Sequence, residues 1–244
     1  MRGIILAAGQ GVRLAGTSVQ PKCLVEIGGS TLLQRQIRAL CQAQITDIVI
    51  VVGYERDRIK EACGSDISFV ENPDFAQTSS LYSLWLAKEY LAEGFIVLNS
   101  DVFFHPQILN DLLKFPAEDA LLISYSGSSS DPLGEEEMKV RVEADLVADI
   151  SKSMDPREAH GENVGIVKFG AQGAKILINH LNSLVANGAA RDWAPRAFRE
   201  FARHRPLHAV STSGYPWIEI DFPADYEKAV HEIYPKIASL AQAF

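Results

Sequence analysis

The sequence has few cysteines, no long apolar run and no excess of basic charge. Its three cysteines are odd in number, and their spacing matches no metal or redox motif. No apolar run approaches the roughly 18 residues that a membrane-spanning helix needs. No signal-peptide pattern precedes the first apolar run. These absences predict a cytoplasmic protein without a membrane span.

The charge balance argues against binding to nucleic acid. The chain has 31 acidic and 23 basic residues and a formal net charge of −8. Proteins that grip a nucleic-acid backbone usually carry a basic excess or a basic stripe, and neither is present. Any phosphate binding must therefore come from a few placed groups. With 244 residues, 47% of them hydrophobic, the chain 1–244 is expected to form a single domain.

Short apolar runs alternate with helical patterns along the first half of the chain. Gly3–Ala8, Asp47–Val52 and Phe95–Leu98 are apolar without alternation, which is typical of strands buried on both faces. Apolar spacing predicts a helix over Thr31–Ala43, with Cys41 on its buried face, and another over Ser79–Leu91. This interleaving indicates an α/β fold with a mostly parallel sheet covered on both faces.

A glycine-containing loop follows the first predicted strand. The string LAAGQGVRL, from Leu6 to Leu14, contains two glycines and Arg13, and Lys22 follows a proline further on. Glycines let backbone N–H groups approach phosphate oxygens, and the two cations suit phosphate. The pattern is not a dinucleotide fingerprint, which needs glycine at Leu14, nor a P-loop. The alternative interpretation is an ordinary strand-to-helix turn with surface cations.

The segments LAAGQGVRL and PKCLVEIGG together resemble the start of sugar-1-phosphate nucleotidylyltransferases and bacterial-type phosphocholine cytidylyltransferases. The resemblance implies a GT-A-like, Rossmann-like three-layer α/β fold with a mixed, mostly parallel central sheet. It also implies that Arg13 and Lys22 neutralise a nucleoside triphosphate. The loop that wraps this triphosphate would contain Leu6, Ala7, Ala8, Gly9 and Gly11.

Two aspartates are candidates for a metal site. Asp101 stands where the predicted strand Phe95–Leu98 ends, which is where ligands collect in open α/β sheets. In the segment from Trp217 to Asp221, strand alternation places Ile218 and Ile220 in the core and leaves Trp217, Glu219 and Asp221 facing a cleft. Mg²⁺ prefers few carboxylates plus water and phosphate oxygens. The resemblance implies that Asp101 and Asp221 together hold Mg²⁺.

The segment from Glu71 to Leu84 indicates which nucleotide is used. It lacks the Gly-Thr-Ala pattern of the sugar-directed enzymes and resembles the phosphocholine cytidylyltransferase branch instead. The resemblance implies that Asn72, Thr78 and Ser79 bind the nucleotide, with CTP as the expected triphosphate. Ser79 stands where that branch usually has asparagine, and a hydroxyl cannot offer the paired donor and acceptor of an amide.

The acceptor is expected to be a small phosphorylated or phosphonate compound. Lys152 would hold its phosphate, and Glu162 its head group. A cationic head group favours aromatic faces and carboxylates. Trp217, Glu219 and Tyr82 are assigned to this head group, and Tyr215 and Trp193 could also contribute. For each of these aromatic residues except Trp217, a place in the core is the favoured interpretation.

Several alternatives stay open at this point. The acceptor could be a sugar 1-phosphate or an aminoalkylphosphonate in place of phosphocholine. A glycosyltransferase of related fold would need an Asp-x-Asp motif, whereas Asp101 is followed by Val102 and Phe103. A non-catalytic nucleotide sensor is disfavoured because Arg13, Lys22, Asp101 and Asp221 are all present. A homodimer is left open.

Overall fold

The computed structural model describes residues 1–11, 20–64, 66–125 and 133–241. The strands in these ranges are β1 (Arg2–Ala7), β2 (Glu26–Ile27), β3 (Ser30–Thr31), β4 (Ile48–Val52), β5 (Ser68–Glu71), β6 (Phe95–Asn99), β7 (Val102–Phe104), β8 (Ala120–Tyr125), β9 (Lys139–Glu143), β10 (Leu146–Ser151), β11 (Gly161–Phe169), β12 (His208–Ser211) and β13 (Trp217–Glu219). The helices are α1 (Leu32–Gln42), α2 (Arg56–Ala62), α3 (Ser80–Leu86), α4 (Pro106–Lys114), α5 (Ala171–Ala186), α6 (Pro195–Ala202), α7 (Pro223–Lys228) and α8 (Tyr234–Ala241).

Nine of the described strands form one sheet in the order β5-β4-β1-β6-β11-β8-β12-β10-β9. Strands β10 and β11 run antiparallel to their neighbours, and the other seven run in one direction. The predicted mixed sheet is therefore confirmed. Its parallel pairs lie mainly in the first half of the chain, where helices connect the strands, because a parallel crossover needs a long connection.

Helices cover both faces of this sheet. Ile4 and Leu6 point from β1 into a core shared with α3, α5 and α6. Their neighbours Ile5 and Ala7 point into a second core shared with α1 and α4. The apolar runs lack alternation because both faces of each strand are buried. Cys41, however, is exposed, so its expected place on the buried face of α1 was wrong. The buried stripe of α1 runs through Leu33, Gln36 and Leu40.

A short antiparallel ribbon extends beyond the main sheet. In it, β13 pairs with β7, with Glu219 opposite Val102 and Trp217 opposite Phe104. Ile220 is fully buried in a third core with α8, and Ile218 packs against that core, as alternation predicted. None of the helices in the described ranges is long and apolar enough to cross a bilayer.

Gln36 fixes the corner between β6 and β7. Its buried side-chain amide donates to the backbone oxygens of Asn99, at 2.9 Å, and Val102, at 2.8 Å. Ser100 and Asp101, the two residues after Asn99, make the turn between these strands. The position of Asp101 therefore depends on a helix side chain as well as on the strand before it.

Replacing Gln36 with Met should lower the free energy of unfolding by about 1–3 kcal/mol, because one buried and one partly buried carbonyl lose their side-chain donor. Chemical denaturation measures this directly. Gln42→Met is the matched control on the exposed side of the same helix, and a change below about 0.5 kcal/mol is expected there. Equal losses in the two variants would contradict the role of Gln36.

Candidate active site

A cavity of about 410 Å³ lies beyond the carboxyl ends of β1, β5 and β6. Parallel strands end together at this edge, which is where ligands bind in open α/β sheets. Most residues that the sequence singled out line this cavity: Leu6, Ala7, Ala8, Gly9, Gly11, Lys22, Asn72, Thr78, Ser79, Asp101, Lys152, Glu219 and Asp221. Arg13 lies outside the described residues.

Three carboxylates meet at the floor of this cavity. One oxygen from each of Asp101, Glu219 and Asp221 lies within 4.8 Å of the other two. The ribbon of β7 and β13 creates this meeting, because the backbone N–H of Ile220 donates to the Asp101 carbonyl at 3.0 Å. Asp101 Oδ1 is buried and has no hydrogen-bond partner among the described residues. The sequence predicted two of these acids as metal ligands and placed Glu219 at the acceptor instead.

Lys22 supplies positive charge to these carboxylates. Its ammonium forms an ion pair with Asp221 and is largely buried. The stem of Lys22 passes Gly11, where an added Cβ would come within 2.5 Å of Lys22 Cγ. Gly11 also has a φ of +61°, which disfavours other residues. Glycine is therefore needed here both for the turn and for the passage of the lysine.

The carboxylates are electrostatically frustrated. Burial, together with the charges of Asp101 and Asp221, raises the pKa of Glu219 to about 9. Burial also raises the pKa of Asp101, while Lys22 acts to lower it. Three carboxylates thus face a single ammonium among the described groups. A divalent cation fits this donor set, since it would neutralise the excess charge and give Asp101 Oδ1 a partner.

Asp225 holds the turn that carries Asp221. Its Oδ2 accepts the backbone N–H groups of Asp221, at 3.0 Å, and Phe222, at 2.7 Å. The sequence analysis did not single out Asp225. The pattern Pro-Ala-Asp at the start of α7 was the available signal, because an acid at the third helical position often reaches back to the residues before the helix.

One end of the cavity is formed by a segment that Asn72 holds in place. Its Nδ2 donates to Thr78 Oγ1, at 3.0 Å, and Ser83 Oγ, at 3.1 Å, while its Oδ1 accepts from the Asp74 N–H at 3.0 Å. Thr78 Oγ1 in turn donates to the Asp74 carbonyl at 2.9 Å. Both side chains are thus engaged within the protein. Ser79, just before α3, makes no capping bond with its hydroxyl.

The other end of the cavity combines a lysine with an exposed aromatic ring. The Lys152 ammonium lies 4.6 Å from the centroid of the Trp193 ring and 3.5 Å from Glu136 Oε2. Trp193 is 50% exposed, whereas an ordinary core tryptophan would be covered. Buried Lys139 donates to the Lys152 carbonyl at 2.8 Å and so fixes the backbone there.

Glu162 lies close to this second end without lining the cavity. It is paired across strands with Lys139. Burial and the nearby Glu137 carboxylate raise the pKa of Glu162 to about 7, while Lys139 and Lys152 act to lower it.

Two aromatic residues expected at the acceptor do not line the cavity. Trp217 packs against the core around α1 and α4. In the ribbon it is paired with Phe104, whereas Glu219 is paired with Val102, so Trp217 lies two residues further from the carboxylates. Tyr82 stacks on Trp85 with their centroids 5.2 Å apart. Trp193, considered more readily a core residue from sequence, is instead the aromatic side chain beside Lys152. Its exposure depends on tertiary contacts of the turn before α6, which no local pattern reveals.

Comparisons with known proteins give a consistent result. Residues 3–161 match the MobA-like NTP transferase domain. The CMP-5'-(3-aminopropyl)phosphonate synthase of Streptomyces rubellomurinus is 34% identical over 130 residues, which are 51% of this chain and 21% of that protein. The choline-phosphate cytidylyltransferase of Streptococcus pneumoniae is 38% identical over 118 residues, or 47% of this chain and 51% of that one. The chain thus matches about a fifth of the length of the first relative and about half of the second.

A solved structure extends the similarity over nearly the whole chain. The CTP:phosphocholine cytidylyltransferase of Streptococcus pneumoniae has a TM-score of 0.76 and 27% identity, covering 93% of this chain and 96% of its own. The matched family domain contains β1, the cavity loop that follows it, and Asp101. The chain therefore belongs to the MobA-like NTP transferase domain family.

Proposed function

We propose that the protein transfers a cytidylyl group from CTP to a small phosphorylated or phosphonate acceptor with a cationic head group, and releases pyrophosphate. The observation that carries this proposal is the charge arrangement of the cavity. Lys22 and the carboxylates of Asp101, Glu219 and Asp221 lie on its floor, and Lys152 stands beside Trp193 at one end. This arrangement suits two anionic substrates that must react with each other.

Mg²⁺ is the proposed metal, held by Asp101 and Asp221. When bound, it would neutralise charge on the triphosphate and the pyrophosphate that leaves. Glu219 is close enough to contribute a further oxygen or to hold a water molecule of the ion. The fit rests on the unpartnered Asp101 Oδ1 and on the excess of negative charge around it.

The protein's own part in the reaction is to position and neutralise. We assign the segment Leu6–Gly11 to binding of the triphosphate and Lys22 to neutralising its charge. For Arg13, the same neutralising role is proposed from the sequence alone. An oxygen of the acceptor phosphate attacks the α-phosphorus in line. The bond from the α-phosphorus to the oxygen that bridges the β-phosphorus breaks, and its electrons leave with pyrophosphate. Such transfers need orientation and charge stabilisation and no covalent intermediate.

Lys152 and Trp193 support an acceptor that is anionic at one end and cationic at the other. We assign Lys152 to the acceptor phosphate and the Trp193 ring to the head group, in place of Trp217 and Tyr82. The ring already accommodates an ammonium, that of Lys152, at 4.6 Å. A desolvated contact of this kind contributes about 2 kcal/mol. Glu162 lies close by and is retained as a proposed head-group residue, since a pKa of about 7 leaves its carboxyl partly ionised near neutral pH.

CTP is proposed because the relatives described above are named for CTP or for a CMP product. Asn72 and Thr78 would act by shaping the base pocket, since their side chains bond within the protein. Ser79 keeps a hydroxyl that makes no capping bond and is the side chain here assigned to the base.

A pyrophosphate-release screen tests the proposal. Four nucleoside triphosphates are combined with phosphocholine, phosphoethanolamine, aminoethylphosphonate, inositol phosphate and several sugar 1-phosphates. Release is expected with CTP and an amine-bearing acceptor in the presence of Mg²⁺. Release with a sugar 1-phosphate alone would overturn the acceptor class, and binding of CTP without turnover on any acceptor would favour a nucleotide sensor.

Asp101→Asn should lower kcat/KM by roughly a hundredfold or more, because charge stabilisation by a metal site is worth several kcal/mol and each 1.4 kcal/mol is about tenfold. Steady-state pyrophosphate release measures the loss. Asp145→Asn is the matched control in the exposed β9–β10 turn, and its activity should stay close to that of the wild type. Near-normal turnover of Asp101→Asn would remove this residue from the metal site.

The raised pKa of Glu219 predicts how stability depends on pH without metal. Its folded pKa of about 9 exceeds the ordinary glutamate pKa of 4.5, so the folded state holds an extra proton between these two pH values. Unfolding free energy should then fall as pH rises through this window. After EDTA treatment, the free energy of unfolding of the wild type should fall between pH 6 and pH 8 by up to about 2 kcal/mol more than that of Glu219→Gln. Exposed Glu89→Gln should retain the wild-type profile. Parallel profiles for wild type and Glu219→Gln would show that Glu219 is ionised normally.

A further inference from the structure

Two segments that are distant in sequence are joined beside the cavity. The N–H of Ser79 donates to the Ala190 carbonyl at 2.9 Å, and the N–H of Leu81 donates to the Asp192 carbonyl at 3.2 Å. The third bond uses a side chain: the Ala194 N–H donates to Ser80 Oγ at 2.9 Å. The start of α3 is thus tied by three hydrogen bonds to the turn before α6.

The start of α3 and the turn before α6 line different ends of the cavity. Thr78, Ser79 and Ser80 line the end that Asn72 organises, which is assigned above to the nucleotide. Trp193 and Pro195 line the end that contains Lys152, which is assigned to the acceptor. The three bonds therefore cross from one substrate's part of the cavity to the other's.

The position of Trp193 depends on its backbone more than on packing of its ring. The residue is 50% exposed, so little of the ring is held by the core. Its neighbours on both sides are bonded to α3, Asp192 through its carbonyl and Ala194 through its N–H. Beyond it, the Arg196 N–H donates to the Trp193 carbonyl at 3.0 Å as α6 begins. The backbone around Trp193 is therefore held at both ends, and on the cavity side it is held by the hydrogen bonds to α3.

We propose that Ser80 is a positioning residue. Its hydroxyl, on the nucleotide side of the cavity, holds the backbone next to Trp193 and so places the Trp193 ring where the acceptor binds. The proposal rests on the function proposed above, in which Trp193 contacts the acceptor. Of the three anchoring bonds, the one to Ser80 Oγ alone depends on a side chain and can be removed by mutation without altering the backbone. Ordering of α3 around the nucleotide would then also order the acceptor end.

Ser80→Ala should raise the KM for the acceptor about fivefold, the usual effect of losing one neutral hydrogen bond, with a smaller change in the KM for CTP. Ser80→Thr keeps a hydroxyl and should restore the acceptor KM. In a Trp193→Ala background, Ser80→Ala should add little further effect, because the ring that it positions is gone. Pyrophosphate release at varied concentrations of each substrate measures all four variants.

Ser83→Ala is the matched control. It makes the same change one turn later in α3, where the hydroxyl accepts from Asn72 Nδ2 at the nucleotide end of the cavity. Its main effect should fall on the KM for CTP. Two results would overturn the proposal for Ser80: a rise confined to the KM for CTP, which would make Ser80 a nucleotide contact, or full additivity with Trp193→Ala.

Hydrogen exchange separates failure of this proposal from failure of the proposed function. If no acceptor supports pyrophosphate release, the function fails, but the Ala194 amide can still be followed. Its exchange should be faster in Ser80→Ala than in wild type, and adding CTP with Mg²⁺ should slow it in wild type alone. Equal exchange of Ala194 in both proteins, with and without CTP, would overturn the role of Ser80 even if the enzyme is active.

Discussion

The site is built around one electrostatic constraint: among the described residues, three half-buried acidic side chains lie beside one lysine ammonium. Asp101, Glu219 and Asp221 lie within 4.8 Å of one another, and Lys22 pairs with Asp221. Like charges at this separation repel strongly in a poorly solvated place, so the fold has to hold them together. The ribbon of β7 and β13 does this with backbone hydrogen bonds, and side chains from α1 and α7 reinforce the two turns. The same constraint explains why a divalent cation suits the site.

The cavity above these carboxylates has two unlike ends. One is organised by Asn72, whose amide joins the segment after β5 to α3. The other presents Lys152 and Trp193, which come from β10 with its following turn and from the turn before α6. Because the two ends come from separate parts of the chain, a substitution that reshapes one end need not alter the other. The bonds between α3 and residues 190–194 limit this independence.

Sequence reasoning was strongest where the signal is local. The apolar runs of β1, β4 and β6 predicted the parallel half of the sheet. Gly11, Lys22, Asp101 and Asp221 were singled out, and all four line one cavity. The residues whose positions or roles were not foreseen depend on contacts between segments that are distant in sequence. Strand alternation predicted that Trp217 faces the cleft together with Glu219. Trp217 lies two residues further along the ribbon, however, and its ring packs against the core. The parts played by Gln36 and Trp193 depend on elements far away in sequence.

The most direct test of the account is a crystal structure with Mn²⁺ and CTP, in which anomalous scattering locates the ion. The account predicts one ion bound by Asp101 and Asp221 and by the triphosphate, with Lys22 moved from Asp221 to a phosphate oxygen. An ion bound elsewhere, with the Lys22–Asp221 pair intact and the triphosphate outside the cavity, would contradict it.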